Sequence, residues 1–260
     1  MARKAIFKEL LKEKDVMIGT NDGLCEPEIT EWLANAGLDF LFYDLEHSGR
    51  TIEALRPCYL AAMAYNIPVL TRVRDIEQGL IEQALDAGSQ GVLVPTVETA
   101  EQAKLIVQAA RYAPLGTRGF HTTVANSRWM NDYDIRKHKE IANRDVFVCL
   151  LIESPMGIEN LDEIIEVEGI DCIHFGPGDL SARMGTTPFD DRVTEIFLDA
   201  TRKISAKGIH VMPVASPENA MDYYKAGARM FISNVLTAPM ITDSFHNWKL
   251  EMRKAMKLSV

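Results

Sequence analysis

Short runs of apolar residues alternate along the chain with longer segments in which apolar residues recur every three or four positions. The short runs are continuously apolar, which is typical of parallel β-strands buried on both faces. They predict eight strands, at residues 15–20, 38–45, 68–73, 91–97, 147–154, 171–176, 210–215 and 230–235. The intervening spacing is helical and predicts helices that include residues 51–65, 76–87, 100–111, 217–226 and 238–256.

Eight strand-then-helix units in 260 residues predict an α/β protein in which residues 1–260 form a (β/α)₈ TIM barrel as a single domain. One segment interrupts the alternation. Residues 114–145 are too many for an ordinary connection, and they contain Trp129 and a charged stretch with helical spacing up to Asn143. Because long insertions in compact domains often carry function, we expect this loop insertion to be a lid or an interface.

Composition and charge exclude several classes of protein. The chain is 47% hydrophobic with 16 Gly and 11 Pro, unlike collagen-like or disordered chains. Its net charge of −9 is opposite to the charge that nucleic-acid binding requires. Charges interrupt the apolar stretch at the start, and no later run reaches the roughly 18 apolar residues of a membrane span. We therefore expect a cytoplasmic protein with neither a nucleic-acid nor a membrane partner.

The four cysteines indicate neither a disulfide framework nor a zinc site. They lie far apart, and none belongs to a C-x-x-C pair or has a histidine at ligand spacing. Cys149 and Cys172 fall within apolar runs, where a free cysteine usually packs as a small hydrophobic residue.

Candidate chemistry lies where the predicted strands end, because active sites of parallel barrels are built there. Glu153 ends the fifth strand, and Asp179 follows a Gly-Pro-Gly turn after the sixth. Two carboxylates on neighbouring strands suit Mg²⁺ or Mn²⁺, with water and substrate oxygens completing the coordination. A salt bridge to an inter-strand Lys or Arg is the alternative for Glu153. Gly176 and Gly178 either let a ligand approach the backbone or only shape the turn.

Three further polar residues end neighbouring strands. His47, close to Asp44 and Glu46, is either a general base or a structural histidine. Arg72 is placed to stabilise an oxyanion. Arg74, two residues later, is the control for this interpretation, since it could simply pair with surface acids.

The lysines argue against one type of barrel chemistry. Schiff-base enzymes need a lysine at a buried strand end, and every lysine here falls on a predicted helix, loop or terminus. Imine chemistry is therefore not expected.

Six motifs in order resemble those of the HpcH/HpaI aldolases, which are metal-dependent, pyruvate-forming aldolases. The motifs are Tyr43-Asp-Leu-Glu-His47, Val69-Leu-Thr-Arg72, Leu93-Val-Pro-Thr-Val97, Arg111-Tyr-Ala-Pro-Leu-Gly-Thr-Arg-Gly119, Ile152-Glu-Ser154 and Phe175-Gly-Pro-Gly-Asp-Leu-Ser181. The resemblance runs from about Gly19 to the C-terminus. It is specific for the family and not for the substrate.

The resemblance implies a divalent metal, Mg²⁺, Mn²⁺ or Co²⁺, held by Glu153 and Asp179. Pyruvate would chelate this metal, with the backbone at Gly178 and Asp179 receiving its carboxylate. Arg72 would stabilise the enolate oxygen. The small-molecule partners implied are an oxo acid and an aldehyde.

Three further features follow from the same resemblance. His47, assisted by Asp44, would relay the proton of the 4-hydroxyl. Asp86 is similar to an acid that is presented to a neighbouring subunit's site. Family members are homo-oligomers, as hexamers or trimers of dimers, that often exchange the C-terminal helix.

The sequence departs from the family on the side of the pocket expected to take the aldehyde. Leu151 stands where a Gln is usual, and residues 212–215, 231–235 and 120–121 are also atypical. We therefore expect Leu151 and Pro213 to border the substrate, the alternative for Leu151 being packing in the barrel core. Two other functions stay open: different metal-enolate chemistry, such as macrophomate synthase-like decarboxylation of oxaloacetate, and a non-catalytic barrel that binds an oxo acid.

Overall fold

The computed structural model describes residues 6–125, 134–188, 190–234 and 236–258, so that Trp129 and the end of the last predicted strand, Val235, lie outside the described residues. The strands within these ranges are β1 (Met17–Asn21), β2 (Phe40–Asp44), β3 (Val69–Arg72), β4 (Gly91–Val94), β5 (Phe147–Ile152), β6 (Cys172–Phe175), β7 (His210–Met212), β8 (Val214–Ala215) and β9 (Met230–Ser233). The helices are α1 (Phe7–Glu13), α2 (Pro27–Asn35), α3 (Ile52–Ala64), α4 (Gln78–Ala87), α5 (Ala100–Ala110), α6 (Ile135–Asp145), α7 (Pro155–Glu159), α8 (Leu161–Ile164), α9 (Pro177–Arg183), α10 (Asp191–Ala206), α11 (Ala220–Ala226) and α12 (Thr237–Ala255).

The strands form one parallel sheet in the order β7-β6-β5-β4-β3-β2-β1-β9-β8. Its two end strands, β7 and β8, are consecutive in the chain and are separated only by Pro213. The sheet therefore curls into a nearly closed barrel surrounded by helices. The described residues contain nine strands instead of the predicted eight, because the predicted seventh strand is divided at Pro213. Proline has no N–H to donate to a ladder, and β7 pairs with β6 while β8 pairs with β9.

The inside of the barrel is a separate apolar core. Its buried residues include Met17, Phe40, Phe42, Leu70, Leu93, Phe147, Cys149, Leu151, Cys172, Met212, Met230 and Ile232. α1 covers the amino-terminal end of the strands, where Phe7 stacks on Phe147 with ring centroids 4.8 Å apart. The opposite end of the barrel, where the strands terminate, is left for polar residues; we call it the mouth.

A second core lies between the strands and the surrounding helices. Residues such as Ile106, Val148 and Ile204 are fully buried there. No helix among the described residues combines the length and the apolar composition that a membrane crossing requires. All four cysteines are free thiols and are buried.

The predicted insertion contains the helix that its spacing indicates. α6 begins after Asp134, whose side chain accepts hydrogen bonds from the backbone N–H groups of Arg136 and Lys137. Asn143, near the other end of α6, is tied by both amide atoms to the backbone of Tyr112, at 2.7 and 2.9 Å. The helix is therefore fixed to the segment that follows α5.

Candidate active site

An ion pair between β2 and β3 occupies the mouth. Asp44 and Arg72 are paired residues on these strands, and Arg72 Nε donates to Asp44 Oδ1 at 2.8 Å while its Nη2 donates to Oδ2. Arg72 Nη1 also lies 3.1 Å from Glu46 Oε2. Burial raises the pKa of Asp44, but the hydrogen bond and the charge of Arg72 outweigh it and hold this pKa below its usual value. Both charges are therefore retained at neutral pH.

His47 follows this pair on an exposed loop. Asp44 Oδ1 accepts the backbone N–H of Glu46 at 2.9 Å and that of His47 at 3.4 Å. The imidazole Nε2 lies 3.6 Å from Glu46 Oε2, and 64% of the side chain is exposed. Asp44 thus fixes the backbone of the loop, while Glu46 contacts the ring. The sequence places Glu46 beside His47 as one of two nearby acids, but it does not predict these contacts, because they depend on how the loop folds back.

Glu153 is the buried carboxylate of the mouth, with 3% of its surface exposed. Its Oε1 accepts hydrogen bonds from Thr96 N at 2.9 Å and from Thr96 Oγ1 at 3.0 Å. No lysine or arginine of the described ranges lies within ion-pair distance of it, so the salt-bridge alternative has no partner there. Gly176 approaches its other edge, since a β-carbon added to Gly176 would lie 2.7 Å from Glu153 Oε2.

Asp179 lies in the first turn of α9 and is exposed, as is Gly178. Burial raises the pKa of Glu153; the Thr96 hydrogen bond opposes this, and the charges of Asp179 and Glu46 add to it. The three carboxylates are thus close enough to repel one another. A divalent cation would relieve this repulsion, and oxygen ligands suit Mg²⁺ or Mn²⁺. Glu153 and Asp179 therefore fit the metal that the sequence predicts.

The protein itself supplies only part of a coordination shell. Within the described residues, no group of three or more His, Cys, Asp or Glu side chains has the geometry to hold a metal ion. A cation at Glu153 and Asp179 would therefore leave positions for water or substrate oxygens.

Leu151 and Pro213 lie deeper than the charged residues. Leu151 is 1% exposed and belongs to the apolar core inside the barrel. Its Cδ1 would be 3.3 Å from a β-carbon on Gly176. This placement supports the packing alternative for Leu151, and its contact with substrate stays a prediction. Pro213 is buried between β7 and β8, where its carbonyl accepts the N–H of Ile232 at 3.1 Å.

Two charged residues of the sequence analysis contact neither Glu153 nor Asp179. Arg74 donates to the backbone carbonyls of Leu45 at 2.9 Å and Arg50 at 2.8 Å, and it pairs with no acid in the part of the chain that the structure describes. Asp86 lies near the end of α4, which leads back to the start of β4 and hence away from the mouth of its own barrel. Its Oδ1 accepts from Arg118 Nη2 at 2.6 Å. A role for Asp86 in a neighbouring subunit stays a prediction.

The sequence of this chain is similar to those of known proteins. Residues 23–244 match the sequence profile described as HpcH/HpaI aldolase/citrate lyase. The hydroxypyruvate/pyruvate aldolase of Deinococcus radiodurans is 38% identical over 234 residues, which cover 87% of this chain and 82% of that protein. The 2-keto-3-deoxy-L-rhamnonate aldolase of Salmonella gallinarum is 40% identical over 180 residues, covering 69% and 66%.

Solved structures agree in fold. The HpcH/HpaI aldolase from Desulfitobacterium hafniense DCB-2 superposes with a TM-score of 0.89 at 24% identity, covering 96% of this chain and 97% of that chain. The citrate lyase beta subunit from M. tuberculosis, solved with oxaloacetate and magnesium, has a TM-score of 0.54 at 18% identity, covering 84% and 91%. The family match and the two aldolase relatives confirm the resemblance seen in the sequence. This chain belongs to the HpcH/HpaI aldolase/citrate lyase family.

Proposed function

We propose that the protein is a divalent-metal-dependent, class II aldolase that forms and cleaves 4-hydroxy-2-oxo acids from a pyruvate-type enolate and an aldehyde. The observation that carries this proposal is the cluster at the mouth. Glu153 and Asp179 are two carboxylates suited to a cation whose charges act on each other, and the charge of Glu153 also acts on the guanidinium of Arg72. In the described residues no lysine lies on a strand, which leaves imine chemistry without a candidate nucleophile.

Each residue of the mouth has a distinct task in this proposal. Glu153 and Asp179 hold the metal, which when bound polarises the 2-oxo group and offsets the negative charge of the enolate. The backbone N–H groups of Gly178 and Asp179 receive the carboxylate of the oxo acid. Arg72, held in place by Asp44, donates hydrogen bonds to the oxygen on which the enolate charge develops.

His47 moves the proton on the aldehyde side. Its exposed ring is free to reach the 4-hydroxyl, directly or through water, and the carboxylate of Glu46 at 3.6 Å stabilises the imidazolium that forms when it accepts that proton. Asp44 contributes by fixing the backbone N–H of His47.

We also propose that the protein is a homo-oligomer, a hexamer or trimer of dimers, in which Asp86 serves a neighbouring subunit. The support is α12, whose only buried residue in this chain is Thr237. Phe245 is 69% and Trp248 60% exposed, and Met240, Ile241 and Met252 add further apolar surface. Apolar area of this kind usually marks an interface.

The test of the proposed function is pyruvate release from a panel of 4-hydroxy-2-oxo acids, coupled to lactate dehydrogenase. We expect release only with Mg²⁺, Mn²⁺ or Co²⁺ present, and loss in excess chelator. Full activity in chelator contradicts the metal-dependent chemistry. A protein that binds metal and pyruvate but releases nothing is the non-catalytic barrel, and activity with oxaloacetate alone indicates decarboxylation.

A further inference from the structure

His174 lies directly below the metal-binding part of the mouth, and the proposed function gives it no role. It is the partner of Leu151 across β5 and β6. Two residues further along the chain, just past the ends of these strands, come Glu153 and Gly176, and a β-carbon on Gly176 would lie 2.6 Å from Glu153 Cβ. Since side chains two residues apart on a strand point the same way, His174 faces the barrel interior one layer beneath the carboxylate.

Contacts with residues on the other side of the barrel place His174 at the same position. The rings of His174 and Phe42 meet edge to face, with centroids 6.3 Å apart. The guanidinium carbon of Arg72 lies 5.6 Å from the centroid of the same Phe42 ring. His174 therefore forms the floor below both Arg72 and Glu153, among the apolar side chains of Phe42 and Leu151.

The hydrogen bonding of His174 fixes which of its nitrogens carries the proton. Nδ1 lies 2.5 Å from the carbonyl oxygen of Met212. A carbonyl only accepts, so Nδ1 is the donor and carries the hydrogen. Burial lowers the pKa of His174 to about 4, so the ring is neutral at pH 7. Nε2 is then an acceptor, and no group of the described residues donates to it.

We infer that His174 is a specificity-determining residue whose Nε2 accepts a hydrogen bond from a hydroxyl on C3 of the bound oxo acid, so that the site prefers a 3-hydroxy-2-oxo acid to pyruvate. The inference rests on the proposed function, because it takes the oxo acid to be held at Glu153 and Asp179. A methyl group or a carboxylate oxygen offers Nε2 no proton, whereas a hydroxyl does. The apolar neighbours Phe42 and Leu151 leave this nitrogen as the polar contact of the floor.

The test compares hydroxypyruvate with pyruvate, using glycolaldehyde as the common acceptor. The wild-type protein should show a higher kcat/KM for hydroxypyruvate. In His174→Phe, which keeps a planar ring and removes the acceptor, the ratio of the two kcat/KM values should fall about 3- to 10-fold, as expected for one neutral hydrogen bond. His174→Gln keeps an acceptor and should keep most of the preference. His210→Phe is the matched control, because His210 begins β7 at the opposite end of the barrel, and its ratio should equal that of the wild type.

Calorimetric binding of hydroxypyruvate and of pyruvate in the presence of Mg²⁺ separates this inference from the proposed function. A wild-type preference in binding that is lost in His174→Phe supports the inference even if no aldol product forms. A wild type without preference overturns it, whether or not the variants fold. Equal losses for both oxo acids in His174→Phe also overturn it, since they show that His174 only packs the floor.

Discussion

A single methyl group at position 176 should disable the metal site while leaving the barrel folded. In Gly176→Ala the new β-carbon would lie 2.6 Å from Cβ and 2.7 Å from Oε2 of Glu153. Non-bonded carbon atoms pack at about 3.5–4.0 Å, so Glu153 must move by roughly 1 Å. Gly176 has a φ of −97°, which alanine adopts without strain. Any effect of the substitution therefore comes from the contact between the new methyl group and Glu153, and not from backbone strain.

The size of the effect follows from how strictly metals fix their ligands. Ligand distances in metal sites hold to within about 0.2 Å, and disturbing a residue that positions a ligand typically lowers affinity about 10- to 100-fold. We expect Gly176→Ala to weaken Mg²⁺ and Mn²⁺ binding by at least about 10-fold. Overpacking should lower the free energy of unfolding by about 1–3 kcal/mol.

Calorimetric titration with Mn²⁺, together with thermal unfolding, measures both effects. Gly178→Ala is the matched control from the same turn, because nothing lies within 4 Å of its added β-carbon. Its metal affinity should equal that of the wild type. A Gly176→Ala protein that binds Mn²⁺ as tightly as the wild type would refute the assignment of Glu153 as a ligand.

Three other substitutions address the base, the pocket and the floor. His47→Ala should lower the rate of carbon–carbon cleavage by about 10²–10⁴. It should affect oxaloacetate decarboxylation less, because that reaction needs no such base. Equal losses of the two activities would show that His47 has a structural role. Leu151→Gln should lower the free energy of unfolding by about 1–3 kcal/mol. If Leu151 only packs, the ratio of kcat/KM for polar aldehydes to kcat/KM for apolar aldehydes should stay unchanged. A shifted ratio would place Leu151 in the substrate pocket. Because the pKa of His174 is lowered from 6.5 to about 4, the unfolded chain binds a proton between these values that the folded chain does not. His174 therefore removes up to about 3 kcal/mol of stability as the pH falls from 6.5 to 4. In denaturant titrations at several pH values, His174→Gln should lose less unfolding free energy between pH 6.5 and 4 than the wild type. An equal loss in the two proteins would contradict the assignment of His174 as a buried, neutral histidine.

The sequence predicts most of the barrel, because buried parallel strands are nearly continuous apolar runs. All eight predicted runs contain strands, and the count differs only where Pro213 divides the seventh. That proline is visible in the sequence, but its effect depends on which neighbours each half pairs with. The closure of the amino-terminal end of the barrel by Phe7 could not be read from periodicity, since it depends on the position of α1 in space.

The polar residues at the mouth are also predictable from the sequence, because the carboxyl ends of parallel strands meet at one end of a barrel. The contacts between these residues are harder to predict. The pairing of Asp44 with Arg72 follows from strand register, which hydrophobic pattern alone does not fix. The contact between Thr96 and Glu153 likewise joins two separate segments, the one that follows β4 and the one that follows β5. The direction of Leu151 and His174 follows from the alternation of side chains once Glu153 is known to face the mouth.

Exchange of the methyl protons of pyruvate with solvent is a direct test of metal-dependent enolate chemistry, because it reports enolate formation without an aldehyde. In D₂O with Mg²⁺, we expect the protein to catalyse loss of the pyruvate methyl signal in proton NMR spectra. Exchange should stop in excess chelator and in Glu153→Gln, and it should slow strongly in Arg72→Ala. Absence of exchange in the wild-type protein with Mg²⁺, or exchange that persists undiminished in chelator, would contradict a metal-dependent enolate chemistry at this site.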